Sequence, residues 1–440
     1  VTAGVTAQDY ARSVRRSWQA KERVTKRFYN TTMQAQDLAL QRDKYKHLSD
    51  EEWRWFLQQV EGRERTADKL PTFAAMDDWW YPVRLSCEQC SSELTARYKA
   101  HLVESKKSKV ESRGEEVESR EEEVESRFVD LTGGYGVDTY FLSGCFDHTD
   151  YVEQNAELCR IAEHNFNVRR NDVRCTKGRI TIHNCTAEDF LQQSGLTATR
   201  SYSEAGHSPS GYFLIFLDPA RRDSHGGKVF RLADCTPNVV ALLPSLLEHL
   251  APNGRIMLKL SPMLDLTQAV KELSAVSLQP SDLTWDIHVV AVKNEVKEVL
   301  LLSRKSKVES QKPTITAIDL AKPEQAFVFT REEEQAAQPQ MVNGTWSNGT
   351  WLYEPSAAIL KAGAYKLAGA RFGLHKLDVN THLYVSDRLV PDFPGRVWKV
   401  KANGERLKAK GEGLKAKGEG LKANVLVRNY PLSAEQLRKK

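Results

Sequence analysis

No uninterrupted apolar run of about 18 residues occurs anywhere in the chain, so nothing in it reads as a membrane-spanning helix. The opening stretch, VTAGVTAQDY, lacks a charged region followed by an apolar core, so no secretory signal is read there. The chain opens on Val1 rather than Met, and its natural start is expected upstream. Cysteine is sparse: seven in 440 residues, odd in number and scattered, which excludes a disulfide framework and points to a reducing, cytoplasmic setting. A large excess of either charge is missing too. A net +5 permits nucleic acid as a partner without arguing for it. Asn343-Gly-Thr345 and Asn348-Gly-Thr350 match the glycosylation pattern but are discounted for want of a secretory signal.

Cys87 and Cys90 form one CxxC, with no second pair and no paired histidines beside it. Structural zinc takes four such ligands, so a helix beginning at Ser91 or Ser92 is the better reading. A length of 440 residues exceeds one average core and favours two or three domains. The first hundred residues read as helical. Ser49 with Glu52 offers a capping box, and Trp53, Phe56, Leu57 and Val60 fall on one helical face as ordinary core. Residues 101–127 are a low-complexity insert. Val103, Val110, Val117 and Val124 recur every seven residues, too sparsely for a coiled-coil seam. The repeated LKAKGEG at 407–413 and 414–420 reads as a similar surface expansion.

The informative stretch is FVDLTGGYG, Phe128 to Gly136. Phe128, Val129 and Leu131 suit a buried strand. Gly133, Gly134 and Gly136 let the backbone turn tightly and approach a ligand, and a helix pattern follows at once. Strand, glycine turn, helix is the nucleotide-pocket arrangement of doubly wound folds. Glu153 ends the next apolar segment at the spacing of a ribose-binding carboxylate. Of the glycines a dinucleotide fingerprint needs, Gly134 and Gly136 fit, but the sixth place is Thr139. Asp130, at the strand end, would repel a pyrophosphate and attract an ammonium. S-adenosylmethionine, with its ammonium, sulfonium and ribose and no phosphate, therefore fits better than NAD. The competing reading is a glycine turn without a ligand.

From Phe128 the apolar segments alternate regularly. Strands are expected at 128–132, 149–153, 179–183, 212–218, 254–260, 285–292 and 296–302. Helices are expected at 136–143, 155–167, 187–193, 238–250 and 265–275. A short turn at Asn294 makes the last two strands antiparallel, and a further pair is expected near 314–319 and 326–330. The fold class is thus α/β: a Rossmann-like, mostly parallel sheet with an antiparallel end strand, a helical N-terminal region and small α+β units behind it. The fourth strand delivers Asp218-Pro219-Ala220-Arg221 at its carboxyl end, where such folds place their chemistry. After the third strand, Glu188 and Asp189 are candidates for an adenine amino group, although a helix start favours acids in any case. Asp-Pro-x-Arg is also found in uracil C5 methyltransferases, but these need a cysteine after the fifth strand, where this chain has Lys259 and Ser261. Lys259 is read as meeting a phosphate or substrate group, or as a snorkelling strand-end lysine.

The segments LSCEQCSSELTARYKA (85–100), FVDLTGGYGVDTYFLS (128–143), YVEQNAELCRIAEHNF (151–166), IFLDPARRD (215–223), KLSPMLD (259–265), EPSAAILKAGAYK (354–366), NTHLYVSD (380–387) and NYPLSAEQLRKK (429–440) together resemble the bacterial class I SAM-dependent methyltransferases with a THUMP-like C-terminal domain. The likeness spans roughly residues 50–440. It implies a methyltransferase domain at 128–337, a small ferredoxin-like unit at 350–392 and a THUMP-like module at 393–440, which is expected to continue past Lys440. It implies a cofactor site of Asp130, Thr132, Gly133, Gly134, Gly136, Glu153, Asn155, Ala187 and Glu188, with S-adenosyl-L-methionine as cofactor and no metal. Asp218, Pro219, Ala220 and Arg221 would present a base nitrogen, as Asp-Pro-Pro-Tyr motifs do, with Arg221 where those place an aromatic ring. RNA is the implied substrate, and the helix near 92–100 would close over the methionine end of the cofactor. From Arg396 to Lys440 thirteen Lys and Arg stand against four Asp and Glu, a surface that permits nucleic-acid binding or is simply a solvated insert. The alternative function is an RNA-binding protein whose methyltransferase-like domain is catalytically silent.

Overall fold

A computed structural model describes residues 7–28, 34–111, 125–170, 178–198, 211–220, 231–276, 283–305, 312–342, 349–400 and 435–436. The chain forms two compact units, the first Val1–Lys259 with Lys271–Pro280, the second Leu260–Val270 with Ser281–Lys440.

The first unit begins with helices α1 (Ala7–Phe28), α2 (Ala35–Ala39), α3 (Asp50–Thr66), α4 (Pro71–Ala74), α5 (Arg84–Gln89) and α6 (Glu93–Glu111). The capping box expected at Ser49 is present: its hydroxyl accepts from the Glu52 N–H, and the Glu52 carboxylate accepts from the Ser49 N–H. Trp53, Phe56 and Val60 are buried on α3 as expected, and Trp55 joins them. The side chain of Ser92 accepts from the Thr95 N–H at the start of α6. That helix runs on to Glu111, into the stretch expected to be an insert, because its Lys, Glu and Ser residues carry little helix penalty. Residues 112–124, the centre of that insert, lie outside the described residues, as do 407–420 and 343–348.

Five strands follow: β1 (Arg127–Asp130), β2 (His148–Val152), β3 (Arg179–His183), β4 (Tyr212–Leu217) and β5 (Leu250–Leu260). They form a parallel array in the order β3-β2-β1-β4-β5. Helices α7 (Val137–Leu142), α8 (Ala156–Arg170), α9 (Ala187–Ala198) and α10 (Val239–Glu248) alternate with them. Phe128, Val129, Ile215, Phe216, Met257 and Leu258 are all buried, as strands covered on both faces require. The chain leaves β1 to one side for β2 and β3 and returns on the other for β4 and β5. That reversal opens a crevice at the carboxyl ends of β1, β2 and β4.

Helix α11 (Leu266–Val276) crosses the boundary between the units. In the second unit, β6 (Leu283–Val292) and β7 (Glu295–Lys305) form the expected antiparallel hairpin. Lys293 and Asn294 turn it with positive φ, and the Asp319 carboxylate accepts both of their N–H groups. The expected further pair is there too: β8 (Ile315–Asp319) runs parallel to β6, and β9 (Phe327–Phe329) antiparallel to β8. Helices α12 (Arg331–Ala336), α13 (Ala357–Ala362) and α14 (Leu367–Arg371) accompany a small sheet of β10 (Gln340–Met341), β11 (Trp351–Pro355), β12 (His375–Lys376), β13 (Tyr384–Ser386) and β14 (Gly395–Lys399), in the order β10-β12-β13-β11-β14. Tyr353, Leu374, Tyr384 and Phe393 form its core. Strand β14, expected to open a separate module, pairs antiparallel along the whole of β11, with Leu352 opposite Trp398. Among the described residues no helix is long and apolar enough to cross a membrane.

Candidate active site

The crevice holds a cavity of about 280 Å³, close to the lower bound of roughly 300 Å³ for small-ligand pockets. Its floor is the glycine loop. Gly134 and Gly136 take φ of +55° and +82°, which only glycine adopts without cost. A Cβ on Gly133 would stand 2.2 Å from the Tyr151 ring, so that position tolerates nothing larger. Tyr135, between the glycines, is buried among Phe73, Trp79 and Tyr81, and its hydroxyl accepts from the Trp79 indole N–H at 2.9 Å. The helical lead-in thus fixes the loop. Phe73, Trp79 and Tyr81 were not singled out from sequence; they belong to the same core as the expected Trp53 and Phe56, and that core includes the loop's own tyrosine.

Of the residues expected to hold the cofactor, Asp130, Thr132, Gly133, Gly134, Gly136, Glu153, Ala187 and Glu188 all line this one cavity. Glu153 reaches the loop, its carboxylate accepting from the Gly134 N–H at 2.9 Å and from the Asn155 N–H at 2.8 Å. Asn155 itself is not brought to the cavity wall. Its side chain accepts from the Glu157 and Leu158 N–H groups and caps α8. Thr186 lines the cavity and caps α9 by accepting from the Asp189 N–H, while Asp189 stays off the wall.

Asp130, expected at the strand end beside the loop and facing a cation, is instead buried. It is 1 % exposed and lies beneath the loop, one oxygen accepting from the Thr132 N–H at 3.0 Å and the other from the Thr139 hydroxyl at 2.6 Å. Burial raises its carboxyl to about 7, against the pull of those two hydrogen bonds, and the charges of Asp138 and Asp218 push the same way as burial. Thr139, the residue that spoils the dinucleotide fingerprint, has this partner as its reason for being there.

Asp218 and Ala220 line the cavity; Pro219 does not. Arg221 lies outside the described residues. The Asp218 N–H donates to the Thr132 hydroxyl at 2.7 Å, tying the end of β4 to the end of β1. Ala220 exchanges both backbone hydrogen bonds with Thr236, so its carbonyl already has a partner. Lys259 neither snorkels nor waits for phosphate. Its ammonium lies 2.5 Å from the Asp218 carboxylate and 3.7 Å from Asp138. Asp138 accepts from the Ser91 hydroxyl at 2.6 Å and pairs with the fully buried Lys99 at 3.2 Å. Burial opposes charge on Asp138, but Lys99 and Lys259 outweigh it and hold the carboxyl below its ordinary range. This group was missed from sequence. Its one signal was a lysine within an apolar fifth strand.

The CxxC thiols make no site together: Cys87 donates to the Pro82 carbonyl and Cys90 to the Cys87 carbonyl. Among the described residues no cluster of three or more His, Cys, Asp or Glu could hold a metal ion.

The fold is Rossmann-like, and the comparisons find proteins described as methyltransferases similar to it. A crystal structure described as a putative methyltransferase from Porphyromonas gingivalis W83 superposes with a TM-score of 0.62 at 29% identity, covering 86% of this chain and 80% of that one. An uncharacterized S-adenosylmethionine-dependent methyltransferase of Mycobacterium tuberculosis is 25% identical over 301 residues, 68% of this chain and 74% of that protein. A family model described as a ferredoxin-like domain matches residues 351–394. The chain is thus a relative of the S-adenosylmethionine-dependent methyltransferases, with a ferredoxin-like domain near its C-terminal end.

Proposed function

We propose that the chain is an S-adenosylmethionine-dependent methyltransferase that modifies RNA at a base nitrogen. One observation carries this reading: a glycine loop, a strand-end glutamate and a strand-end aspartate from three separate strands converge on one cavity at the reversal of strand order. The residues fit the cofactor. Gly134 has only a carbonyl oxygen within 4 Å of where a Cβ would stand, so its backbone is open to close approach. Glu153, with two lone pairs on each oxygen, has acceptor capacity for ribose hydroxyls beyond the two N–H groups it already serves. Ala187 and Glu188 would flank the adenine.

The bound cofactor supplies an electrophilic methyl group on a sulfonium, whose leaving group is a neutral thioether. The chain's own task is positioning, which in such transfers is most of the catalysis. Asp218 would accept a hydrogen bond from an exocyclic amine and so aim the nitrogen lone pair into the cavity. The proton lost from that nitrogen passes to solvent. In this reading the basic segment from Arg396 to Lys440, as a THUMP-like module, engages the RNA backbone, and the enzyme works in the cytoplasm.

Two measurements test it. Calorimetry with S-adenosylmethionine should show binding that Gly134→Asp abolishes. Tritiated-methyl transfer to total RNA from a strain lacking the protein, followed by nucleoside mass spectrometry, should reveal one labelled base. Binding of cofactor and RNA without transfer would instead establish a catalytically silent domain.

A further inference from the structure

Lys99, Asp138, Lys259 and Asp218 form an alternating row of charges running from helix α6, through α7 and β5, to the cavity end of β4. The row begins in the interior and ends at the cavity. The side chains of Lys99, Asp138, Lys259 and Asp218 are 0, 9, 10 and 38% exposed in turn. Two cations and two anions make it neutral as a whole. Lys259 holds one carboxylate oxygen of Asp218, while no described residue bonds the other, Oδ1. The Asp218 backbone N–H is held as well, by Thr132. A carboxylate fixed at its N–H and at one oxygen presents its second oxygen in one direction only.

We propose that Lys259 is a positioning residue: it fixes Asp218 by one oxygen and offsets its charge, leaving Oδ1 to the incoming amine. The offset has a consequence for the cofactor, and here the inference rests on the reading given under Proposed function. Asp218 shares its cavity with a sulfonium. An uncompensated carboxylate would hold the cationic methyl donor much more tightly than the neutral thioether product, deepening the ground state rather than the transition state. With Lys259 in place the carboxylate acts through geometry and hydrogen bonding, and Asp218 adds little to any preference for donor over product.

The test needs no nucleic acid substrate. Binding of S-adenosylmethionine and of S-adenosylhomocysteine is measured by calorimetry at pH 8 on the full chain, for the wild type, Lys259→Met, Lys259→Arg and Lys259→Met with Asp218→Asn. Removing the ammonium leaves one net negative charge on the wall and should raise the preference for the sulfonium over the thioether about tenfold. Lys259→Arg keeps the charge and should restore the wild-type ratio. The double variant removes both charges, leaves no new unpaired carboxylate at Asp218, and should also return near that ratio. A Lys259→Met ratio equal to that of the wild type would overturn the proposal while leaving cofactor binding intact. So would a double variant that keeps the raised ratio. Absence of binding by the wild type would overturn the methyltransferase reading and this one with it. A purely structural lysine would lower both affinities together and leave their ratio unmoved.

Discussion

Replacing Asp130 by Asn should make the protein's stability less dependent on pH, and the size of the change follows from where the carboxyl sits. In the unfolded chain this group loses its proton near 3.8; in the folded one burial delays the loss to about 7. Between those values the native state binds more protons than the unfolded state, so stability falls as pH rises through the window. The contribution is fully present below 3.8 and gone above 7. At about 1.4 kcal/mol for each pH unit, a shift of about three units sets the loss at about 4 kcal/mol. Asn has the same shape: its Oδ1 can accept from the Thr132 N–H, and its amide can donate to the Thr139 hydroxyl, which turns to accept. Urea unfolding of both proteins at pH 5 and pH 8, followed by tryptophan fluorescence, is the assay. The stability of Asp130→Asn relative to the wild type should improve by about 2–4 kcal/mol between the two conditions. An equal difference at both pH values would refute the placement of an ionising carboxyl beneath the loop. The same group should make binding of a cationic ligand strengthen from pH 6 to pH 8, with protons released on binding.

Glu153→Gln removes the charge that serves the loop and the expected ribose, so S-adenosylmethionine affinity should fall roughly 10–100-fold by calorimetry while the thermal midpoint moves little. Gly133→Ala drives a methyl group into the Tyr151 ring, and urea unfolding should show a loss of about 1–3 kcal/mol together with weakened cofactor binding. In the second unit, Thr330→Ala deletes one half of a capping box on α12, and hydrogen exchange of that helix should report a loss of about 1 kcal/mol.

Local pattern made the sheet readable. Phe128 to Asp130, Tyr212 to Leu217 and Trp285 to Val292 are mostly apolar segments, and each became a strand within a residue or two of where it was expected. The glycines announced the loop because a positive φ and a close ring leave visible constraints in sequence. The charged row did not announce itself. Lys99, Asp138 and Lys259 are far apart in the chain, and each alone looks like an ordinary solvated residue. Only their meeting in space explains why three charges are buried, and no periodicity encodes that. The small sheet was harder for a related reason: β14 lies forty residues after the strand it pairs with, about the spacing at which a new unit is usually expected. Asn155 shows the opposite case, a residue that the resemblance put in the cofactor site and whose side chain turns back to cap its own helix.

The charges around the loop have a common logic. Among the described residues, Asp130, Asp138, Asp218, Lys99 and Lys259 gather on one side of the glycine loop, with Glu153 on the other. Lys99 pairs with Asp138, and Lys259 with Asp218 and, at 3.7 Å, with Asp138. Asp130 is left over. Its partners are a threonine hydroxyl and a backbone N–H, which soften the cost of burial without cancelling it, and the two paired aspartates push it further toward the neutral form. Near neutral pH the cavity therefore stands between two charge states that differ by one proton. A neutral ligand leaves that balance alone. A cation tips it, because ionised Asp130 then has something to face, and part of the ligand's binding energy goes into releasing the proton. Under the cofactor reading, such a carboxyl would favour a cationic ligand from beneath the loop, with residues the glycine loop already requires for its own shape.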